Sequence, residues 1–258
     1  MTVDVRLLGV CASPRRGNSW YLLEEALAGA GSVPGVAVKA QAYSFRGRKI
    51  APCLACGACI KAGGRCQVDD DFAELRDLWL EADAVLYSVP VYHLGVPAQL
   101  KAFMDRLGQS LFGHFRHLFP PERPGLPRLL KAIGCLAQGA HFASGQEHAI
   151  MDVIQHALVM QCVPVAGDLW QSYLGAGGWT RNQGGVDALR RQAAEGHLEA
   201  RAAVEAARAV GRRAVEVAAL IRAGLTVLGP SLGDLPAYRA LLKEASGAQD
   251  GGAAGARS

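Results

Sequence analysis

The chain has 258 residues, half of them hydrophobic and 19% charged, with a formal net charge of +4 and seven cysteines. That length admits one large α/β domain or two small ones, and the scattered basic residues exclude a Lys/Arg-rich nucleic-acid patch. The N-terminus shows no signal-peptide pattern, and no apolar run of about 18 residues or more is evident, so no membrane span is expected. The expectation is a cytoplasmic protein in a reducing compartment, where clustered cysteines bind metal or do redox chemistry more often than they pair.

The elements read in chain order as alternating strands and helices. Val3–Val10 is an apolar strand that runs into a polar turn, and Trp20–Ala30 has helical spacing. Val36–Tyr43 alternates Val36, Val38, Ala40 and Ala42 as a second strand. A glycine- and cysteine-rich excursion covers Arg46 to Gln67, after which Asp70 or Asp71 is placed to cap a helix over Phe72–Glu81. Ala84–Val89 is a buried strand ending at Pro90, and Pro97 suits the first turn of a helix continuing through Ala98–Leu107. His114–Arg128 is a proline-rich connection. Leu130–Ala137 reads as a strand, Gln146–Met160 as a helix and Val163–Leu169 as a fifth strand. Gln171–Gly185, with Tyr173 and Trp179, is expected to be a long loop. Asp187–Arg222 is one long alanine-rich helix or two, and the tail from Ser246 is expected to be disordered.

Five strands with intervening helices predict a doubly wound parallel α/β sheet with helices on both faces. Ligands bind such sheets at the C-terminal strand ends. The polar segments after Val10, Val89 and Ala137 all fall there.

The first of these, Ala12 to Ser19, lies between a strand and a helix. A helix N-terminus offers unpaired N–H groups and a positive dipole end to a phosphate. Ser13, Asn18 and Ser19 add side-chain donors, Arg15 a charged one, and Gly17 a tight turn. The loop matches neither a Walker A sequence nor a Gly-x-Gly-x-x-Gly fingerprint. An ordinary turn with Asn18 or Ser19 as N-cap accounts for it too.

Cys53-x-x-Cys56-x-x-Cys59-x6-Cys66 is the second strong feature. Thiolates two residues apart in a glycine-containing segment can converge on one iron–sulfur cluster, and the fourth can return to close it. Zinc is the rival, although its sites usually join two Cys pairs across a longer gap; a site of reduced, empty thiols is a third reading. Cys11, Cys135 and Cys162 lie in or at the ends of strands and read as buried, inert thiols.

The Ser13-Pro14-Arg15-x-Gly17-Asn18-Ser19 stretch resembles the phosphate loop of NADPH-dependent FMN reductases. Ser88-Val89-Pro90-Val91-Tyr92-His93 resembles that family's loop along the isoalloxazine ring, and Leu100 to Arg106 its following helix. The resemblance spans about Val3 to Leu107, and more loosely Lys131 to Gln146. It implies a flavodoxin-like fold and FMN held by Ser13, Arg15, Gly17, Asn18, Ser19 and Trp20. Pro90, Val91, Tyr92 and His93 would lie along the ring, with the N–H groups from Val91 to Leu94 facing its polar edge. Gln138 and Gly139 would close the far side. Taken by itself, Tyr92 reads as a core aromatic and His141 as a surface histidine. No residue is assigned a catalytic role, because the cofactor carries the chemistry.

The four cysteines followed by Asp69-Asp70-Asp71-Phe72 resemble the iron–sulfur flavoproteins of the same superfamily. That resemblance implies a [4Fe–4S] cluster on Cys53, Cys56, Cys59 and Cys66 beside the FMN of a neighbouring subunit, hence a homodimer or homotetramer. The implied organisation is an FMN-binding domain over 1–185 with the cysteine loop 46–70 inserted, a C-terminal helical extension over 186–245, and a tail over 246–258. The implied function is an FMN-dependent oxidoreductase. It would move electrons from NAD(P)H or a ferredoxin-like donor, through FMN and the cluster, to a small acceptor such as a quinone or flavin. The alternatives are a dedicated electron-transfer flavoprotein, or a plain NADPH-dependent FMN or quinone reductase with an empty or zinc-filled cysteine site. A zinc-stabilised interaction module leaves the Ser13–Ser19 loop unexplained. No nucleic-acid or membrane partner is expected.

Overall fold

The structure is a computed structural model describing residues 2–242; the predicted tail over 246–258 lies outside the described residues. Six parallel-paired strands form one sheet: β1 (Val3–Cys11), β2 (Val36–Ser44), β3 (Ala84–Pro90), β4 (Ala132–Gly139), β5 (Val163–Pro164) and β6 (Ala176–Trp179). The order is β2-β1-β3-β4-β5, with β6 also on β4. The chain steps outward from β1 to β2 and then back past it to β3, so the switch point lies between β1 and β3.

The helices are α1 (Asn18–Ala30), α2 (Ala58–Lys61), α3 (Phe72–Glu81), α4 (Ala98–His114), α5 (Gln146–Val159), α6 (Ala188–Ala194) and α7 (Leu198–Leu232). Every residue of β3 and β4 is buried, as a strand covered on both faces requires. Their side chains alternate between two cores. Val85, Tyr87 and Val89 point to the layer holding Leu75, Phe103 and Val153 of α3, α4 and α5. Ala84 and Leu86 point to the layer of α1 and α7, against Leu22 and Val210.

Two polar groups in these cores have partners. The Trp79 indole donates to the Tyr87 hydroxyl at 2.8 Å. Buried Lys131 donates to the Leu80 and Ala82 carbonyls, at 2.7 and 2.6 Å, where it neutralises the negative end of α3.

Two sequence expectations change. The fifth strand is not Val163–Leu169 but a split edge. β5 pairs with the start of β4 at Ala132 and Ile133, and β6 pairs with its end from Leu136 to Gly139. β6 comes from within the predicted Gln171–Gly185 loop. Its Ala-Gly-Gly-Trp sequence has low strand propensity, and backbone pairing to β4 makes it a strand. The second change concerns α7, which by length and composition is long and apolar enough to cross a membrane. Ala200, Ala203, Ala207, Val210, Ala214 and Val215 of this helix are nevertheless buried with β1 and α1.

The contact between α1 and α7 explains the small residues in both. A Cβ on Gly211 would stand 1.9 Å from the Ala26 carbonyl, and one on Gly29 2.3 Å from that of Arg208. The backbones touch, so neither neighbour can move aside without parting the helices. Gly211→Ala is therefore expected to destabilise the chain by roughly 1–3 kcal/mol, despite its higher helix propensity. Urea unfolding measures this, and an unchanged or raised midpoint would show the contact to be looser.

Candidate functional site

The turn after β1 is built around an uncapped helix start. Gly17 occupies the N-cap of α1 with no side-chain cap, and the first turn holds no acidic residue. The N–H groups of Arg16, Gly17, Asn18, Ser19 and Trp20 donate to no acceptor among the described residues; the first N–H of this helix to do so is that of Tyr21, to Gly17. Free N–H groups at the positive end of a 13-residue helix can receive an anion. Ser13 is buried and its hydroxyl receives the Arg15 N–H at 3.2 Å, which shapes the turn, while Arg15 is exposed.

Other side chains of the loop have structural work. The Asn18 amide donates to the Gly185 carbonyl and its oxygen accepts the Leu189 N–H, both at 3.0 Å, tying the loop to the start of α6. Trp20 donates to Glu24 at 2.7 Å and lies under the Arg16 guanidinium. Ser88 of β3, quoted in the sequence only as part of the ring-loop stretch, donates to the Ser19 carbonyl at 2.6 Å and locks β3 to this loop.

The loop after β3 differs from the expectation in which donors it presents. The Val91 N–H is taken by the Gln138 carbonyl at 2.8 Å, and those of Tyr92 and Gly95 bond across to each other's carbonyls. The resulting tight hairpin puts His93 and Leu94 in left-handed backbone conformations. Only the His93 and Leu94 N–H groups in the stretch from Val91 to Leu94 are left without an acceptor among the described residues. Tyr92 is 43% exposed, so it is not a core aromatic.

Leu94 meets Gly145, joining this loop to the one after β4. There Gln138 is buried, and its side-chain oxygen has no hydrogen-bond donor among the described residues. Gln146 braces the loop by donating to the His141 carbonyl at 2.9 Å and the Gly178 carbonyl at 3.2 Å. His141 is exposed and contacts Asn182 at 2.9 Å.

The cysteine segment follows β2 and docks on α4 through missing side chains. A Cβ on Gly113 would stand 2.3 Å from the Cys59 carbonyl, and one on Gly64 2.7 Å from that of Ser110. Cys53, Cys56, Cys59 and Cys66 line one cleft with Gln67 and Arg106. No three His, Cys, Asp or Glu side chains among the described residues are grouped closely enough to hold one metal ion. Burial, and then the neighbouring Cys66 sulfur, push the Cys59 thiol up. The three strand cysteines behave as expected: burial raises Cys11 to about 11, Cys162 to about 12, and Cys135 further. All seven cysteines are free.

The aspartates after Cys66 anchor the segment. Asp70 accepts the Ala51 N–H at 2.7 Å, the Phe72 N–H at 3.2 Å and the Arg106 guanidinium at 2.6 Å. Asp71, the N-cap of α3, makes no capping bond and instead accepts the Lys49 N–H and pairs with Arg48. Burial by itself would raise the Asp70 carboxyl, but hydrogen bonds from Arg106, Ala51 and Phe72 more than offset it and hold it below the usual carboxylate range. Sequence reading missed Arg106. Its signal was a charged residue on the apolar face that carries Phe103 and Leu107.

With this geometry in place, relatives can be compared. The family model of the NADPH-dependent FMN reductases matches residues 5–170. An iron–sulfur flavoprotein of Archaeoglobus fulgidus is 30% identical over 176 residues, covering 68% of this chain and 83% of that protein. One of Methanocaldococcus jannaschii is 32% identical over 165 residues, 64% of this chain and 77% of the relative. The solved NAD(P)H:quinone oxidoreductase from Methanothermobacter marburgensis shares the fold, with a TM-score of 0.55 at 14% identity over 81% of this chain and 98% of that one. The family match defines the class as FMN-dependent oxidoreductases that use NAD(P)H. The chain belongs to the NADPH-dependent FMN reductase family, on its iron–sulfur flavoprotein side.

Asp70 generates a pH prediction. Its folded value lies below the ordinary 3.8, so its contribution to stability is complete above that value and is lost as pH falls through the folded one. Denaturant midpoints are expected to drop below about pH 4, and less steeply in Asp70→Asn. Equal acid slopes in the two chains would remove Asp70 as the anchor.

Proposed function

We propose that this chain is an oxidoreductase of the iron–sulfur flavoprotein type. It takes electrons from NAD(P)H or a ferredoxin-like donor and delivers them to a small acceptor such as a quinone or flavin. FMN and a [4Fe–4S] cluster are its resident cofactors. The observation that carries the reading is the set of unspent N–H groups from Arg16 to Trp20 at the uncapped start of α1, beside the switch point of the sheet.

A phosphate accepts from those N–H groups and from Arg15, while Ser13 and Gly17 shape the turn around it. Ser19 and Trp20 complete the first helical turn. Asn18 acts through its backbone, since its amide is engaged with the α6 start. Pro90 ends β3, and Val91, Tyr92 and His93 form the hairpin along one side of the ring. The free His93 and Leu94 N–H groups supply donors to it, with Gln138 and Gly139 at the end of β4 beside them.

Cys53, Cys56, Cys59 and Cys66 supply a purely thiol donor set on one cleft. Zinc sites usually join two Cys pairs across a longer gap. Four thiols at two-, two- and six-residue spacings in one short segment suit a cluster that spreads its ligands over several irons. Bound in these places, FMN supplies hydride and single-electron chemistry and the cluster supplies one-electron transfer. Pairing in a homodimer or homotetramer brings one subunit's cleft to the other's flavin site. Seven free cysteines suit the cytoplasm.

Anaerobic purification followed by a visible spectrum and iron, sulfide and zinc analysis tests this reading. Flavin bands with about four irons and matching sulfide per chain are expected; one zinc without sulfide would exclude the cluster, and no FMN binding would exclude the whole reading. Arg15→Ala is expected to weaken FMN binding roughly tenfold, about 1.4 kcal/mol, by removing a charged phosphate donor. Fluorescence titration measures it, and unchanged affinity would remove Arg15 from the phosphate site.

A further inference from the structure

Arg106 is 3% exposed, on the face of α4 that carries Phe103 and Leu107. Its guanidinium is held on several sides. Nη1 donates to Asp70 Oδ2 at 2.6 Å and to the Ala51 carbonyl at 3.2 Å. Nη2 donates to the Val68 carbonyl and to Cys66 Sγ, both at 3.3 Å. The plane lies over the Phe72 ring at 4.2 Å, and Nε has no acceptor among the described residues. Taking both ions out of water costs about what their attraction returns, so stability alone does not account for the pair. The arrangement has a direction: it aims a buried positive donor at one thiol of the cysteine cleft. The other side-chain donor to a cleft sulfur, Gln67 to Cys56 at 3.2 Å, is neutral and exposed.

We propose that Arg106 is a positioning residue that holds Cys66 for the cluster and raises the cluster's reduction potential. This rests on the [4Fe–4S] reading above. Cys66 is the ligand separated from the other three by six residues, so its sulfur depends most on an external hold. When the cluster accepts one electron, no bond forms or breaks and its negative charge grows. A hydrogen bond from a positive group to a ligand sulfur therefore stabilises the reduced form more than the oxidised one. Low surrounding dielectric strengthens that effect. Asp70 fixes the guanidinium and opposes its field, so the two residues act on the potential with opposite signs.

The test is a redox titration of the anaerobically prepared, cluster-loaded chain, followed by electron paramagnetic resonance. Arg106→Gln is expected to lower the cluster midpoint and Asp70→Asn to raise it, with FMN affinity unchanged in both. Gln67→Leu, which removes a neutral exposed donor, is expected to shift the midpoint less. Loss of iron from Arg106→Gln with FMN retained, restored in Arg106→Lys, also supports the positioning role. Four irons with an unmoved midpoint in Arg106→Gln would overturn the proposal. If that variant does not fold, an unmoved or lowered midpoint in Asp70→Asn would overturn it. A wild-type chain without iron and sulfide would overturn the cluster reading itself, and metal analysis of that chain separates the two failures.

Discussion

Parallel strand pairing is the constraint on which the rest of this molecule depends. Every crossover must return the chain to the same edge of the sheet, so β1, β2, β3 and β4 all end there. The phosphate turn, the cysteine segment and the two ring loops follow those four strands in turn. None of these segments would be near the others in an antiparallel meander. The site is assembled by topology before any side chain contributes.

Once gathered, the segments are fixed to one another by a few bonds of long sequence separation. Ser88 holds the phosphate turn to β3, Val91 holds the ring hairpin to β4, and Asn18 holds α1 to α6. These bonds use groups that a reader of the loops would assign to the ligand. What remains for the ligand is mostly backbone, which is rigid and positioned by helix and hairpin geometry. In the proposed flavin site the cofactor carries the chemistry, and the protein's part is binding and orientation.

The cysteine segment obeys a different logic. It has only a four-residue helix of its own, so α4 serves as its wall, with Gly64 and Gly113 allowing backbone contact and Arg106 reaching through to the sulfurs. One helix thus belongs to the core on its Phe103 side and to the cysteine cleft through Arg106. The opposite face of the sheet has no such double use. There α1 and α7 close on each other through Gly29 and Gly211, with Arg208 paired to Glu25 across the contact.

The sequence by itself determined the order of β1, α1, β2, α3, β3, α4, β4 and α5, because apolar runs and helical spacing are local properties that survive without the fold. It also located the turn between β1 and α1 and the four cysteines in one short segment, since residue type and spacing are local properties. Tertiary structure alone decided that Ala176–Trp179 is a strand, for its hydrogen-bond partner is β4, some forty residues away. It alone decided which donors stay free, because Asn18 finds its partners at Gly185 and Leu189, and Val91 at Gln138. Arg106 stands between the two cases. Its place on an apolar stripe was readable, but that it faces Cys66 and Asp70 follows only from how α4 packs against the segment after β2.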